Sequence, residues 1–483
     1  MSIDTAGYWY GEGEGHRCGY CKNETTNIST GLYLSFISPL RYNALIDRGW
    51  RRSGMYLYKP SMEKTCCPQY TIRCNALDFR ISRSQKKVLR NFSEFLQNQS
   101  PGSFPTSKNS HHSELSQINE RPPNFTTSCE TSLDSDIKSA STTLENGKTL
   151  DCVPAKNRQP EAYLPAEASK QKTFKTGAQL ASSRKKRDFR RLRKLKKIAA
   201  ERNISWEDLD VRALGTQPDP PSLSERLSKA VANKRLVMKL VPVDRDDPES
   251  EFNRTFGLSH KVFQKYQMKI HNDTPGECRE ESFKRFLCQP PFSAENEEGG
   301  YHQHYYIDGK LVAVGVLDLL PWSVSSVYLF YDPDYSALSF GTLSALFEIE
   351  LVQQLNLRHP DVKWYYMGFY IHSCPKMKYK SRFSPSYLLC PRKYTWWPII
   401  DCQLKLDRQK FCVFDEKTSE ESTPTDEQLG TLKVLHGRKL CLYSVYRMLV
   451  RQSLEDEDDY EDVLPTFVKL IGLENAQNIC VYT

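Results

Sequence analysis

The chain has 483 residues, of which 39% are hydrophobic and 26% are charged, and its formal net charge is +8. This composition can bury one large or two moderate cores, and because no run of about 18 apolar residues occurs, we expect no membrane span. The acidic, glycine-rich start lacks the features of a secretory signal, so the fifteen cysteines are expected in a reducing compartment, as metal ligands or buried residues and not as disulfides.

The first predicted feature is a metal site formed by two cysteine pairs. Cys18 and Cys21 form a Cys-x-x-Cys turn, whereas Cys66 and Cys67 are adjacent and are followed by Pro68, which can bend the chain. Two such pairs can supply the four thiolates of a tetrahedral zinc site or of an iron–sulfur cluster. The ligand types favour zinc, with an iron–sulfur cluster as the alternative.

The second cysteine pair leaves alternatives open, because adjacent residues on an extended chain point to opposite faces. One of Cys66 and Cys67 could bind the metal, with His16 or Cys74 as the fourth ligand. The four cysteines could also be ordinary buried thiols and a redox-prone turn. We predict a small metal-binding α/β domain over residues 1–92.

Two segments of unusual composition follow this domain. Residues 93–183 are rich in Ser, Thr, Asn, Pro and Lys, which predicts a disordered insert. Residues 184–197 hold ten basic groups against one acid. Apolar residues recur there at every third position, so we predict a cationic helix over residues 184–200. Such a helix suits contact with RNA phosphates or a nuclear-import signal, and its candidate tRNA-binding residues are Arg187, Arg190, Arg191 and Lys194.

Residues 201–420 are predicted to form a larger second domain. Hydrophobic periodicity predicts, in chain order, a β-rich run at 235–243, a helix at 251–267, strands at 304–307, 310–320 and 325–331, a helix at 336–357 and a strand at 362–369. A meander of three strands followed by a helix and another strand is the order of an N-acetyltransferase-like (GNAT) domain. Residues 421–483 are predicted to form a C-terminal extension with an acidic run at 455–462 and a helix at 464–479.

A site for acyl-CoA is poorly supported in the second domain. CoA enzymes of the GNAT fold usually hold a pyrophosphate on a glycine-rich turn before the long helix. The corresponding stretch here, residues 334–341, contains one glycine and an acidic approach, so we expect no CoA. The predicted fold class is therefore α+β: a C-terminal GNAT-like acyltransferase domain, a small N-terminal metal-binding α/β domain and a disordered insert.

Long and unusual strings occur in both domains. One runs Leu45-Ile46-Asp47-Arg48-Gly49-Trp50-Arg51-Arg52-Ser53-Gly54, and another runs Gly368-Phe369-Tyr370-Ile371-His372-Ser373-Cys374-Pro375-Lys376-Met377-Lys378-Tyr379-Lys380. These strings resemble the eukaryotic arginyl-tRNA–protein transferases, and the resemblance covers roughly residues 1–80 and 235–405. The sequence departs from that family at Gly299-Gly300-Tyr301, where a Gly-Ser-Phe-like approach is expected, and at His304, where glutamine is common.

The resemblance implies an enzyme that transfers arginine from arginyl-tRNA to the N-terminal α-amine of proteins starting with Asp, Glu or oxidised Cys, which marks them for ubiquitin-dependent degradation. The amine would attack an ester that is already activated. The enzyme therefore mainly has to hold both reactants and stabilise the oxyanion, without a covalent enzyme intermediate. We expect such an enzyme in the cytoplasm and the nucleus.

Candidate catalytic residues lie on two neighbouring strands of the second domain. His302 or Asp318 could take the proton of the acceptor ammonium while Gln303 donates to the oxyanion. Alternatively, these side chains form hydrogen bonds within the sheet and cap a turn. Asp332 and Asp334 lie in an acidic and aromatic turn that could bind the donor's arginine side chain, or that simply ends a strand.

The remaining candidates bind substrate charge. An acceptor that begins with Asp or Glu presents a carboxylate, which the forked guanidinium of arginine can read. The cationic candidates are Arg48, Arg51, Arg52, Lys376, Lys378 and Arg382, each of which could instead face tRNA phosphate. Tyr370 and His372, at a strand end, are further substrate-binding candidates. Two other classes stay open: a non-catalytic tRNA-binding zinc scaffold and a CoA-dependent N-acyltransferase.

Overall fold

The computed structural model describes residues 5–98, 221–292, 297–419, 422–436, 439–453 and 463–482. The predicted insert beyond residue 98, the basic segment at 184–200 and the acidic run at 455–462 lie outside these ranges. Within them, no helix combines the length and the apolar character needed to cross a membrane.

The strands of the described residues form two mixed sheets. They are β1 (Ala6–Glu12), β2 (Ser29–Leu34), β3 (Arg51–Ser53), β4 (Tyr56–Pro60), β5 (Tyr70–Asn75), β6 (Leu236–Pro242), β7 (Gly299–Ile307), β8 (Lys310–Leu320), β9 (Ser323–Tyr331), β10 (Trp364–Tyr370), β11 (Ser386–Leu389), β12 (Trp396–Pro398), β13 (Lys433–His436), β14 (Lys439–Leu442) and β15 (Cys480–Tyr482).

The helices connect and cover these sheets. They are α1 (Pro39–Ile46), α2 (Arg83–Asn98), α3 (Leu223–Ala230), α4 (Glu251–Tyr266), α5 (Glu280–Leu287), α6 (Phe340–Asn356), α7 (Ile399–Leu406), α8 (Asp426–Gly430), α9 (Tyr443–Ser453), α10 (Leu464–Ile471) and α11 (Leu473–Ala476). A π-helical turn continues α4 over Gln267–His271, and 3₁₀ segments span Pro333–Leu338 and Pro375–Arg382. The chain is therefore α+β, as predicted.

The larger sheet has the strand order β12-β11-β5-β10-β9-β8-β7-β6. β9 and β10 pair in parallel, whereas the other neighbours pair antiparallel. The predicted hairpin between β7 and β8 is confirmed: it turns at Asp308 and Gly309, which both have positive φ. The predicted order of three strands, a helix and a further strand is also confirmed.

The smaller sheet has the order β14-β13-β15-β1-β2-β4-β3. The C-terminal extension therefore supplies strands to it, and β15 pairs in parallel with β1. The first 92 residues contribute strands to both sheets, because β5 lies between β10 and β11 of the larger one. The boundary predicted at residue 92 falls inside α2, which continues to Asn98.

Two helices differ from their predictions for local reasons. The predicted helix at 336–357 begins as a 3₁₀ segment, and α6 starts only after Ser339, whose φ is +59°. The predicted helix at 464–479 is divided into α10 and α11 at Gly472, whose φ of +87° is a conformation that glycine adopts without strain. α11 ends at Ala476, before the predicted end at residue 479, and β15 begins at Cys480.

Candidate active site

The central feature of the larger sheet is a gap between β9 and β10. Their parallel pairing is confined to Ser323–Ser325 against Trp364–Tyr366, although both strands continue beyond it. Val327 bulges from β9, because Leu317 of β8 pairs with Ser326 and the next partner, Val316, pairs with Tyr328. A bulge bends its strand and increases the local twist. β9 and β10 therefore separate toward their C-terminal ends.

The gap is bordered by a cavity on each face of the sheet. The first cavity lies against α6 and the 3₁₀ segment after β10, and it is lined by Tyr379, Lys380 and Phe383 among others. The second cavity lies toward the smaller sheet and is lined by Tyr42, Arg51, Arg52 and Tyr58. Both cavities share the wall residues Ser326, Val327 and Gly368. The two cavities therefore border the same three residues of the gap.

Two cations satisfy the backbone of β10 where it no longer pairs with β9. The Lys380 Nζ donates hydrogen bonds to the carbonyl oxygens of Met367, at 2.8 Å, and Phe369, at 2.9 Å. From the other face, Arg51 Nη2 donates to the carbonyl oxygen of Gly368 at 3.3 Å. The Lys380 side chain is 6% exposed, so its charge lies close to the first cavity and is largely shielded from water.

Arg52 and Asp318 form a buried ion pair beside the second cavity. Arg52 Nε donates to Asp318 Oδ2 at 2.8 Å, and Arg52 Nη2 donates to Asp318 Oδ1 at 2.5 Å. Burial raises the pKa of the Asp318 carboxyl, and the charge and hydrogen bonds of Arg52 oppose that shift. Arg52 Nη1 and Arg51 Nε are buried and have no hydrogen-bond partner among the described residues. The second cavity is thus lined by two guanidinium groups with spare donors.

The three predicted catalytic side chains do not converge. Asp318 is held by Arg52, which leaves it poorly placed to accept a substrate proton. His302 and Gln303 are neighbours on β7 and so point to opposite faces of the sheet. His302 Nε2 lies 3.2 Å from the carbonyl oxygen of Leu287, whereas Gln303 Oε1 accepts a hydrogen bond from the Tyr305 hydroxyl at 2.8 Å.

His302 and its neighbour on the same face are buried as neutral imidazoles. Burial lowers the pKa of His302 to about 3, with a further contribution from the charge of His304. Burial also lowers the pKa of His304 to about 4. The ring of His302 packs edge-to-face against Phe252, with centroids 5.2 Å apart. Such a histidine is a weak base. Its surroundings match the alternative in which it has a structural role and not a catalytic one.

These histidines predict a loss of stability in mild acid. An unfolded imidazole titrates near 6.5, so below that pH the unfolded state binds protons that the folded state does not. The free energy of unfolding should therefore fall from about pH 6.5 to about pH 4, by roughly 1.4 kcal/mol per pH unit for each histidine. In His302→Phe, urea unfolding at pH 6.5, 5.5 and 4.5 should show a slope smaller by that amount. Equal slopes in the variant and the parent chain would contradict the buried neutral state.

In the turn that was predicted to bind arginine, both aspartates already contact lysine side chains of this chain. Asp332 is buried and accepts hydrogen bonds from Lys310 Nζ at 2.9 Å and from Lys265 Nζ at 3.1 Å. Asp334 is half-exposed and lies 3.4 Å from Lys265 Nζ. These two lysines compete with any arginine ligand at Asp332. The two aspartates lie directly after β9 and therefore flank the open end of the gap.

The other substrate-binding candidates lie in different places. Arg48 is directed away from the gap, because its guanidinium donates to the carbonyl oxygens of Lys469 and Leu470 at the end of α10. The Tyr370 hydroxyl contacts His372 Nδ1 at 2.8 Å, and His372 Nε2 lies 2.9 Å from Asp407. These last contacts are at the end of β10. Three cations are exposed on the 3₁₀ segment that follows: Lys376, Lys378 and Arg382.

The cysteine quartet is assembled as predicted. The sulfur atoms of Cys18, Cys21, Cys66 and Cys67 all lie within 4.8 Å of one another. His16 is not in this group; its Nε2 lies 3.0 Å from the Asn27 side-chain nitrogen. Burial raises the pKa of Cys66 to about 11, whereas for Cys21 hydrogen bonds outweigh burial and lower the pKa to about 7. Four close sulfur atoms fit a tetrahedral zinc site or an iron–sulfur cluster.

One functional candidate next to the first cavity was missed by the sequence reasoning. Glu348 of α6 is fully buried, and its Oε2 accepts a hydrogen bond from the Tyr365 hydroxyl at 2.6 Å. Burial raises the pKa of Glu348, while the hydroxyls of Tyr365, Ser326 and Ser344 oppose the shift. These three hydroxyl residues line the first cavity. One signal in the sequence could have found it: Glu348 lies between Phe347 and Ile349 in a largely apolar helical stretch, where an acid is unusual.

Comparison with known proteins identifies the class and then the family. A model of the C terminus of arginine-tRNA-protein transferases matches residues 259–390, and a model of their N terminus matches residues 16–87. Arginyl-tRNA–protein transferase 1 of Drosophila melanogaster is 35% identical over 506 residues, or 99% of each chain. Arginyl-tRNA–protein transferase 2 of Arabidopsis thaliana is 32% identical over 85% of this chain and 78% of the relative.

A bacterial relative is similar over a shorter region. Aspartate/glutamate leucyltransferase of a Campylobacter jejuni strain is 38% identical over 90 residues, which are 19% of this chain and 36% of that protein. Together, the comparisons place this chain among the transferases. The chain belongs to the arginyl-tRNA–protein transferase family, and the resemblance of its two strings to that family is confirmed.

Proposed function

We propose that this chain transfers arginine from arginyl-tRNA to the N-terminal α-amine of proteins that begin with Asp, Glu or oxidised Cys, and that transfer takes place in the gap between β9 and β10. The observation that carries the proposal is the pair of cavities that share Ser326, Val327 and Gly368. In this proposal, one reactant binds on each face of the gap. The strand order and the separated parallel pair support a GNAT-like acyltransferase domain.

The reaction needs one bond to form and one to break. The neutral α-amine of the acceptor attacks the ester carbonyl carbon of the arginyl group, a carbon–nitrogen bond forms, and the carbon–oxygen bond to the ribose breaks. The amine loses one proton and the ribose oxygen takes up one. Lys380 is the charged side chain among those that line the first cavity. Its ammonium stabilises negative charge on the former carbonyl oxygen, because a cation in a shielded site interacts strongly.

The second cavity is assigned to the acceptor because of its charge. Arg51 and Arg52 line this cavity, and each has a buried N–H group without a hydrogen-bond partner among the described residues. An Asp or Glu side chain at the acceptor's first position would supply the carboxylate that these groups lack, and its α-amine would then face the gap. The Campylobacter relative is named an aspartate/glutamate leucyltransferase, and its name contains the same two acidic residue types. Oxidation converts a cysteine into a sulfinic or sulfonic anion with a similar charge.

The cysteine quartet would hold zinc or an iron–sulfur cluster through Cys18, Cys21, Cys66 and Cys67. The metal would cross-link two loops of the N-terminal region. The quartet also packs against the chain that follows β10, since Cys18 and Cys67 form an apolar cluster with Ile371 and Met377. That same chain carries Lys380 to the gap. A filled metal site would therefore hold the wall of the first cavity in place.

Cys21→Ser tests this arrangement. The variant should lose bound metal, melt at a lower temperature and transfer arginine more slowly, because the segment with Lys380 loses its support. Cys441→Ser, at a partly exposed cysteine outside the quartet, is the matched control and should change none of these. Elemental analysis, thermal unfolding and arginine incorporation are measured on the same samples. Unchanged metal content and activity in Cys21→Ser would show that the quartet is not a metal site.

The function itself is tested with three peptides that differ only in their first residue. Radiolabelled arginine should pass from arginyl-tRNA to peptides that begin with Asp or Glu and not to one that begins with Ala. Binding of tRNA without transfer would instead support a non-catalytic zinc scaffold. Consumption of acetyl-CoA with no labelling would support a CoA-dependent acyltransferase. We also propose the cytoplasm and the nucleus as the location, which fluorescence microscopy of the tagged full chain can test.

A further inference from the structure

The acidic residues that were predicted near the site are already in contact with cations of this chain. Lysine side chains contact both Asp332 and Asp334, in the turn after β9. Asp318 is held by Arg52 in a buried ion pair. A guanidinium group that leaves water needs a negative charge nearby, because an unpaired buried cation is costly. The guanidinium group of a donor arginine therefore requires a different carboxylate.

Glu348 of α6 is a buried acid whose charge no cation of the described residues balances. Its side chain is fully buried, and no lysine, arginine or histidine in those ranges forms an ion pair with it. Its Oε2 accepts the hydrogen bond from Tyr365, whereas its Oε1 has no hydrogen-bond partner there. Burial raises the pKa of this carboxyl, as expected where no positive charge lies beside it. Such a group has spare capacity for a cation that a substrate brings.

The first cavity lies on the face of α6 that carries Glu348. Gly341, Ser344 and Ala345 of α6 line this cavity. These positions are separated by three and four residues, and Glu348 continues the series, so all four share one face of the helix. The three that line the cavity have small side chains, which leave space between α6 and the sheet. This row of small side chains ends at Glu348, one helical turn beyond Ser344.

Three hydroxyl groups connect the carboxylate to the cavity. Ser326, Ser344 and Tyr365 line the first cavity, and their hydroxyl groups are hydrogen-bonding partners of Glu348. A hydroxyl that donates its proton to the carboxylate keeps lone pairs that can accept from a guanidinium N–H group. The ring of Tyr379 forms another part of the wall, and aromatic rings stack favourably on a planar guanidinium group.

We propose that Glu348 selects arginine as the amino acid that is transferred: the donor's guanidinium group binds to the hydroxyl groups of Ser326, Ser344 and Tyr365, and the carboxylate of Glu348 balances its charge. This inference rests on the proposed function, which places the arginyl group in the first cavity. Lys380 lies at the other end of this arrangement, where it donates to carbonyl oxygens of β10 beside the gap. The ester carbonyl then faces Lys380, and the arginine side chain extends along α6 toward Glu348.

A neutral analogue of arginine tests this assignment. Citrulline has nearly the same shape as arginine, but its urea group carries no charge. The same tRNA is charged with arginine or with citrulline, and initial rates of transfer to a peptide that begins with Asp are measured with both donors. Glu348→Gln removes the negative charge and keeps the size of the side chain. Glu350→Gln is the matched control, because Glu350 also lies on α6 but contacts Ser224 and Gln354, which do not line the first cavity.

The parent chain should prefer arginine over citrulline by about 100-fold or more in kcat/KM, because citrulline leaves the carboxylate without a cation. In Glu348→Gln, the kcat/KM for arginyl-tRNA should fall about 100-fold while that for citrullyl-tRNA changes by less than about threefold, so the preference largely disappears. Ser344→Ala should reduce the preference in the same direction by about tenfold or less, since it removes one hydrogen-bonding group. The control should keep the parental preference.

Two results would overturn the inference. An unchanged preference in Glu348→Gln would mean that the guanidinium group is recognised elsewhere. An equal loss of rate with both donors would mean that Glu348 supports the fold or the chemical step and not the choice of amino acid. Thermal unfolding checks that the variants are folded, and if Glu348→Gln were not, the same ratio measured in Ser344→Ala would decide. If the parent chain transferred no arginine from arginyl-tRNA, the proposed function itself would fail.

Discussion

Lys380→Met is expected to lower the saturated rate of arginine transfer by about 100-fold or more. Methionine has a similar length and can fill the same space, but it removes the ammonium that lies between β10 and the first cavity. The loss of one preorganised donor at a developing oxyanion commonly has an effect of this size. Because the substrates are bound mainly by other groups, kcat should fall far more than the KM for either substrate changes.

The structural part of this effect can be separated from the chemical part. Lys380 also donates to the carbonyl oxygens of Met367 and Phe369, so its loss should lower the melting temperature. Lys380→Arg keeps the positive charge and should retain much more activity than Lys380→Met. Lys410→Met, at an exposed lysine of the loop after α7, is the control and should behave as the parent chain. Parental kcat in a folded Lys380→Met variant would exclude the proposed role.

Asp318→Ala is expected to have the largest effect on stability, a loss of about 3 to 5 kcal/mol in the free energy of unfolding. The substitution leaves the Arg52 guanidinium buried without a counter-ion, at a site where the side chain of Asp318 is fully buried. Water cannot solvate the charge unless the structure opens. Urea unfolding of the purified chain measures the loss, and Asp361→Ala, at an exposed aspartate before β10, should change stability little.

The matching double substitution shows whether the unpaired charge is the cause. Arg52→Met with Asp318→Leu replaces both partners by apolar side chains of similar size, and such replacements are often neutral. It should recover most of the stability that Asp318→Ala loses. The double variant should still transfer arginine poorly to peptides that begin with Asp, since the second cavity then lacks one guanidinium. If the double variant were no more stable than Asp318→Ala, the cost would lie in packing and not in the buried charge.

Several features of this chain follow from local patterns and agree with the predictions made from them. Apart from α5, which was not predicted, the strands and helices between residues 235 and 370 have periodicities that belong to single elements, so their order could be predicted without knowledge of the fold. The hairpin at Asp308 and Gly309 depends on two residues that tolerate positive φ. The cysteine quartet also follows from the spacing of its residues. Cys66 and Cys67 lie in a bend of the chain and not in an extended strand, which allows both sulfur atoms to belong to the quartet. The family was identified from two long strings.

The predicted catalytic residues show which contacts local sequence patterns do not predict. His302, Gln303 and Asp318 were predicted to act together because they lie on neighbouring strands, yet His302 and Gln303 are adjacent on β7 and point to opposite faces. Asp318 was expected to accept a proton, but its partner Arg52 lies 266 positions away in the chain. No local sequence pattern predicts that pairing. Lys380 belongs to one of the two strings that resemble the family, and only its position against the unpaired stretch of β10 shows what it contacts.

The sequence by itself determined the family, the α+β class, the order of three strands, a helix and a further strand in the second domain, and the cysteines that lie together. The tertiary structure alone decided that β5 lies in the middle of the larger sheet, that the C-terminal residues complete the smaller one, and that β9 and β10 separate. The physical reason is that side-chain periodicity and turn preferences act over a few residues. Strand pairing, buried ion pairs and cavities instead depend on which distant segments share a surface, and short-range patterns carry no information about that choice.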